Sequence, residues 1–236
     1  VVLMMQLLLN QAMNAEAALP KTVNWSHYQD TVLIQVERLP ENKLGNTLCS
    51  GVLIHPQAIL TAAHCADEAV AMTVVFDVEK VAHAVKKTRV KRSQLVVHPD
   101  YHPEKSLYQN DVAILFLDQP APIQASAIRR IPSRLQFGFG DRLARIGMGM
   151  RNGLNLRNFT DPLFVSIPKQ GVLETADFHS VSGDSGGPLY STSGHLIGIH
   201  STMDDFDGRK TPHSYAVYLP DHIEWIDRNL KSRFDQ

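Results

Sequence analysis

What most limits the fold of this 236-residue chain is the shortness of its apolar runs. "TVLIQVERL" (31–39), "CSGVLIHP" (49–56), "AILTAAH" (58–64), "AMTVVFDV" (71–78) and "DVAILFLD" (111–118) recur in the first half. "RLARIGMG" (142–149), "PLFVSIP" (162–168), "GPLYST" (187–192), "HLIGIHS" (195–201) and "SYAVYL" (214–219) follow in the second. Such runs fit strands better than helices, and Gly, Pro, Asn or Asp punctuates them. Many short strands with turn signals between them predict an all-β sandwich or barrel. Prolines cluster in "LDQPAPIQASAIRRIPSR" (117–134), where a break between two barrels is expected. Only the end differs. "PDHIEWIDRNLKSRF" (220–234) sets Ile223, Ile226 and Leu230 on one helical face. Asp221, with Glu224 three residues on, resembles a capping box for a terminal helix docked on the β body.

Composition narrows the function. The chain is 44% hydrophobic and 20% charged, enough apolar matter for a sizeable core. A formal net charge of −1 gives no general attraction to nucleic acid or anionic membrane. The basic stretch "KKTRVKR" (86–92) alternates and reads as a solvated edge strand. At the N-terminus, Val1 to Leu9 is apolar apart from Gln6, too short to span a bilayer. Ala15-Glu16-Ala17 is a small-x-small pattern, so residues 1–17 are expected to be an export signal rather than an amphipathic helix. That places the mature protein outside the cell or in the periplasm, with no stable membrane anchor. Two cysteines, Cys49 and Cys65, then read as a disulfide rather than free thiols. It would close a loop of about 17 residues, worth roughly 3 kcal/mol in the chain-entropy picture. No metal site is legible: two thiols fall short of a structural zinc set, and prolines break any helix through His98 and His102.

The chemistry gathers in three stretches. "VSGDSGGPLY" (181–190) surrounds Ser185 with backbone freedom just before a strand. A nucleophilic serine needs a base, an acid to orient that base, and N–H donors for the oxyanion. Glycine at 183 lets backbone N–H groups approach a carbonyl oxygen. "LTAAHC" (60–65) sets His64 at the end of an apolar strand, and "NDVAILFL" (110–117) sets Asp111 at the mouth of another. Singly, each context is ordinary for a structural residue. Together, in the order His, Asp, Ser, they are not.

"TAAHC", "NDVAIL" and "SGDSGGPL" resemble the active-site motifs of the chymotrypsin-like (trypsin-fold) serine endopeptidases, a resemblance running from about Thr22 to the C-terminus. It implies a peptidase domain over 22–236, built as two antiparallel six-stranded β-barrels (about 30–118 and 135–219) with a C-terminal α-helix (about 221–233). It implies Ser185 as nucleophile, His64 as base and then acid, and Asp111 as orienting acid. Gly183 and Ser185 supply oxyanion N–H groups, Ser201 bonds near the buried acid, and Cys49 bridges to Cys65. Protein or peptide is the substrate, and no cofactor or metal is expected. Asp184 is expected to pair with an ammonium freed by an activating protease. Counting back from Cys49 puts that cleavage after Lys21, leaving 18–21 as a short pro-segment. In the substrate pocket, His179 stands where trypsin-like members carry an aspartate, which disfavours basic P1 residues. Val181 replaces a bracing cysteine, and Met203 narrows the mouth. His200, Ser180, Ser201 and His213 complete the expected pocket. His200 beside a hydroxyl resembles the bacterial glutamyl endopeptidases, as does the 74-residue interval from Asp111 to Ser185, so acidic and neutral P1 both stand. The alternative is a catalytically silent, protease-like binding protein.

Overall fold

A computed structural model describes residues 28–39, 45–76, 86–105, 108–124, 130–133, 138–151, 154–155, 157–177, 179–204 and 213–235. The expected export signal, pro-segment and cleavage after Lys21 lie outside the described residues. The first half forms β1 (Thr31–Glu37), β2 (Thr47–His55), β3 (Ala58–Thr61), the single-turn α1 (Ala63–Ala66), β4 (Ala71–Val75), β5 (Lys87–Lys91), β6 (Leu95–Val97) and β7 (Ala113–Phe116). The second forms β8 (Ala144–Gly147), the ribbon β9 (Met150–Arg151) and β10 (Leu154–Asn155), β11 (Asn158–Thr160), β12 (Leu163–Lys169), β13 (Val172–Ala176), β14 (Pro188–Tyr190), β15 (Leu196–Asp204), β16 (His213–Tyr218) and the helix α2 (Ile223–Phe234).

The strands make two antiparallel sheets of seven, ordered β5-β4-β1-β2-β3-β7-β6 and β11-β8-β14-β15-β16-β13-β12. The expectation of six-stranded barrels is therefore corrected to two curled seven-stranded sheets. The extra strand has the same origin in each. A 3-10 turn at Arg92–Gln94 splits one bent stretch into β5 and β6, which pair with opposite edges of their sheet. In the second sheet the split falls at Asp161-Pro162, between β11 on β8 and β12 on β13. Proline has no N–H to give a ladder.

Burial explains why several runs are apolar in both phases. Side chains alternate across a strand. Leu53, Ile59 and Leu115 fill the core of the first sheet. Their neighbours Val52, Leu60 and Ile114 face the other way, against Ile146, Ile199 and Val217 of the second. The second sheet has its own core of Leu143, Phe164, Leu173, Leu189, Ile197 and Ala216. The two sheets thus share an apolar seam, and α2 closes one end of it through Ile226, Trp225 and Leu230. The expected Asp221 cap is not formed. His222 is the N-cap residue, without a side-chain cap, and the Asp221 carboxylate accepts from Gly171 N–H at 2.8 Å. A 3-10 turn over Leu219–His222 delays the α-helix, so Asp221 lies before its start. Cys49 and Cys65 are disulfide-bonded, tying β2 to α1. Among the described residues no helix is long and apolar enough to cross a membrane.

Candidate active site

A cleft of about 530 Å³ is lined by residues from both halves of the chain, among them His64, Ser180, Ser185, His200, Ser201 and Met203. The first sheet supplies His64 and Asp111. Thr61 ends β3, and buried Ala62 and Ala63 let the chain turn at once into α1. His64 therefore sits at the edge of the sheet, with 36% of its side chain exposed. Asp111 precedes β7 and is fully buried. A buried carboxylate must be compensated. Its Oδ1 accepts from His64 N–H at 2.8 Å, and its Oδ2 meets His64 Nδ1 at 2.8 Å and accepts from Ser201 Oγ at 2.5 Å. An ionised acid can only accept, so Nδ1 carries the proton and Nε2 keeps its lone pair. Burial works against the imidazolium, but the charge and hydrogen bond of Asp111 outweigh it, and His64 titrates above the ordinary histidine value. Arg38 pulls the other way. Its Nη2 donates to the carbonyls of His64 and Cys65 at 3.0 and 3.3 Å, and Nη1 to Thr47 Oγ1 at 2.8 Å.

The second sheet presents Ser185 on the turn before β14. Gly183 has φ +97°, a conformation that side chains disfavour, and a Cβ there would press on the Gly149 backbone. Buried Ser50 of β2, in the first sheet, clamps this turn. Its Oγ donates to Gly183 O at 2.7 Å and accepts from Met148 N–H at 2.8 Å, and its N–H donates to Ser185 O at 2.7 Å. With their carbonyls held, the N–H groups of Gly183 and Ser185 donate no hydrogen bond among the described residues. Ser185 Oγ donates to Ser201 O at 3.3 Å. No hydrogen bond joins Ser185 to His64 in this structure.

Asp184 turns away from the cleft into the protein and is fully buried. Its Oδ2 accepts from Arg145 Nη1 at 2.8 Å and Val181 N–H at 3.0 Å, and its Oδ1 from Gly149 N–H at 2.9 Å. Arg145 of β8, itself buried, also donates from Nε to Asp177 Oδ2 at 2.7 Å. Burial opposes both charges. The neighbouring carboxylates nevertheless hold Arg145 above its ordinary value, while Arg145 and the His179 N–H hold Asp177 below the ordinary carboxylate range.

The pocket residues divide. His200 Nε2 and Ser180 Oγ are 2.7 Å apart, and both line the cleft with Ser201 and Met203. Burial, with Arg145 nearby, lowers His200 to about 4, so its imidazole is neutral near pH 7. Its Nδ1 has no hydrogen-bond partner among the described residues. His179 and His213 are not among the residues lining the cleft. His179 N–H donates to Asp177 Oδ1 at 2.9 Å, and His213 Nδ1 lies 2.7 Å from Glu174 Oε1. Val181 is exposed where the bracing cysteine was expected. Cys49 and Cys65 lie beside His64, but oxidised sulfurs offer no thiolate to a metal. His98 packs on His222 and Trp225, and His102 lies near Glu104, so the two histidines form no joint site.

Ser50, Arg38, Arg145 and Asp177 were not foreseen from the sequence. For Arg145 there is a signal: a charge in the interior of the run "RLARIGMG", past the Arg142 that opens it, must find a buried partner.

Comparison with known proteins gives this geometry a lineage. The family model described as "Trypsin" matches residues 25–226. Kallikrein-4 of Homo sapiens is 26% identical over 241 residues, covering 94% of this chain and 89% of the relative. A chymotrypsin of Phaedon cochleariae is 28% identical over 204 residues, covering 75% and 72%. Vitamin K-dependent protein C of Mus musculus is 27% identical over 216 residues, but the match spans only 45% of that longer protein. In fold, a structure titled "Structure of GrC" superposes at a TM-score of 0.71 with 19% identity, covering 91% of this chain and 99% of the other. An inactivated protease paralogue of the scabies mite reaches 0.72 at 16% identity, covering 90% and 99%. With more than half its length matched, the chain belongs to the trypsin family of serine-type endopeptidases.

Proposed function

We propose that this chain is a secreted or periplasmic endopeptidase that cleaves protein or peptide substrates through an acyl-enzyme on Ser185. The observation that carries the reading is the Asp111 carboxylate, which holds His64 at Nδ1 and leaves Nε2 as a base beside Ser185. Ser185 rotates from the Ser201 carbonyl toward Nε2 as substrate enters, since such bonds often tighten only in the complex. Oγ then attacks the scissile carbonyl carbon and His64 takes the proton. The oxyanion accepts from the N–H groups of Gly183 and Ser185, and His64 returns the proton to the leaving amine. Water repeats the sequence to release the acid product. The disulfide suits an oxidising compartment.

Substrate choice follows from charge. His200 is a neutral imidazole beside the Ser180 hydroxyl, and the nearby acid Asp177 is already engaged by Arg145. If Nε2–H donates to Ser180 Oγ, the Ser180 hydroxyl is left to donate into the pocket. Such a pocket accepts Glu, Gln or a neutral residue at P1; the carboxylates lining the wider cleft among the described residues, Asp67 and Glu68, follow His64 in the chain and are not the partners of His200 or Ser180. Cleavage of a P1-varied peptide library by the wild type and by Ser185→Ala tests both parts. Expected are cuts after acidic, amide or neutral residues that vanish in the variant. A preference for Lys or Arg overturns the pocket assignment, and cleavage surviving in Ser185→Ala overturns the nucleophile.

One observation favours a second reading. Ser185 Oγ bonds to Ser201 O rather than to His64, as it would in a silent, protease-like binding protein. Such a protein would bind the peptides and leave every one intact.

A further inference from the structure

We infer that Arg145 is the resident cation that assembles the oxyanion turn, so that the chain needs no freed terminal ammonium to become active. This rests on reading Ser185 as the nucleophile of a peptidase. It departs from the expectation that Asp184 waits for an ammonium released by cleavage after Lys21.

The inward position of Asp184 is built into β8 and the turn after it. Gly147 and Gly149 leave the space its carboxylate fills, and a Cβ at either would collide with Oδ1. Arg145, two residues before Gly147, reaches the same carboxylate from the same strand. Within this cradle Asp184 thus has a guanidinium and two backbone N–H donors, from Gly149 and Val181. An incoming ammonium would have to share a carboxylate that already has these three partners. Among the described residues Asp177 and Asp184 share the Arg145 guanidinium, and three backbone N–H groups, those of Gly149, Val181 and His179, also donate to these two carboxylates. His200, also close by, contributes no charge near neutrality.

The second arm of Arg145 widens its role. Through Asp177, whose other oxygen accepts from His179 N–H, the guanidinium ties the oxyanion turn to the segment leading to Ser180. One buried side chain thus positions both the N–H donors and one wall of the pocket. Arg145 touches no reacting atom, and is a positioning residue.

Chemistry separates the two cations. A terminal amine titrates near pH 8 (about 7.7–8.0 unperturbed), whereas a guanidinium stays charged throughout the accessible range. The test compares two forms of the full chain: Lys21→Gln with its N-terminus blocked by a fusion, and wild type cleaved after Lys21. Both are titrated with a fluorophosphonate, and kcat/KM is followed from about pH 6 to 10.5. Expected is equal labelling of both forms, with activity flat above about pH 8. Arg145→Met should lower kcat by about 100-fold or more, the scale of losing an oxyanion donor. Arg145→Lys should recover part of that activity. The pH profile needs no substitution, so a misfolded variant does not blunt the test. Labelling of the cleaved form alone, or loss of activity between about pH 8 and 9.5, overturns the inference and leaves the peptidase reading standing. No labelling in either form overturns both.

Discussion

Asp111 and Asp184 are both fully buried carboxylates behind one cleft, yet they are held in different ways. Asp111 is held by His64 and Ser201, through an imidazole that titrates and a hydroxyl that rotates. Asp184 is held by a guanidinium and two backbone N–H groups, which do neither. The first arrangement suits an acid whose partner must gain and lose a proton in every turnover. The second suits an acid whose only task is to keep a turn in place. Burial alone therefore says little about what a carboxylate does. The chemistry of its donors says more.

Substitutions should separate the two. Asp111→Asn keeps the shape but cannot hold the imidazole in the same tautomer, and kcat should fall by about 10⁴-fold. A drop of less than about tenfold would remove Asp111 from the mechanism. At the turn that carries Ser185, Ser50→Ala leaves Gly183 O and Met148 N–H without their shared partner. At about 1–3 kcal/mol for an unmet buried group, kcat should fall roughly 10- to 100-fold with KM little changed. An unaltered kcat would show that the turn holds without its clamp.

Acid should strain the two sides differently. His64 is raised by Asp111, so the protonated pair stabilises the fold most below about pH 6.5, and that contribution fades as pH rises through the folded value. Activity has the opposite sign, because only the neutral base works. Its acid limb should lie above about 6.5, and Arg38→Gln should move it higher by removing an opposing charge. A limb that stays put would assign Arg38 a purely structural role. His200 instead stays neutral in the fold down to about 4. The unfolded chain binds a proton there from about pH 6.5 downward, so stability should fall between these values. Chemical denaturation at pH 7 and pH 4.5, with His200→Gln as control, reads that loss. The smallest effect is expected from Ser180→Ala: a few-fold loss of kcat/KM on P1 Glu or Gln peptides relative to P1 Leu, as one hydroxyl donor is removed.

How far the sequence anticipated this structure depended on whether a feature was local. The strands were legible because a period of two, or a short run apolar in both phases, is written within a few residues. The three motif stretches were legible for the same reason, and the resemblance supplied their order around the cleft. Partner choice across the molecule was not. Nothing near Asp184 reveals that Arg145, 39 residues earlier, meets its carboxylate. Nothing near His213 shows that its imidazole meets Glu174, 39 residues earlier. Asp221 resembled a helix cap in every local respect, but a preceding 3-10 turn and a donor at Gly171 claimed it.

In the proposed mechanism the activation of Ser185 as a nucleophile comes through His64. Its most direct test is mass spectrometry of the intact protein after brief exposure to a fluorophosphonate. The wild type should carry one adduct, mapped to the peptide containing Ser185, while His64→Ala reacts at least about 10³-fold more slowly. An unmodified Ser185 in folded wild-type protein, or labelling indifferent to His64, would contradict it.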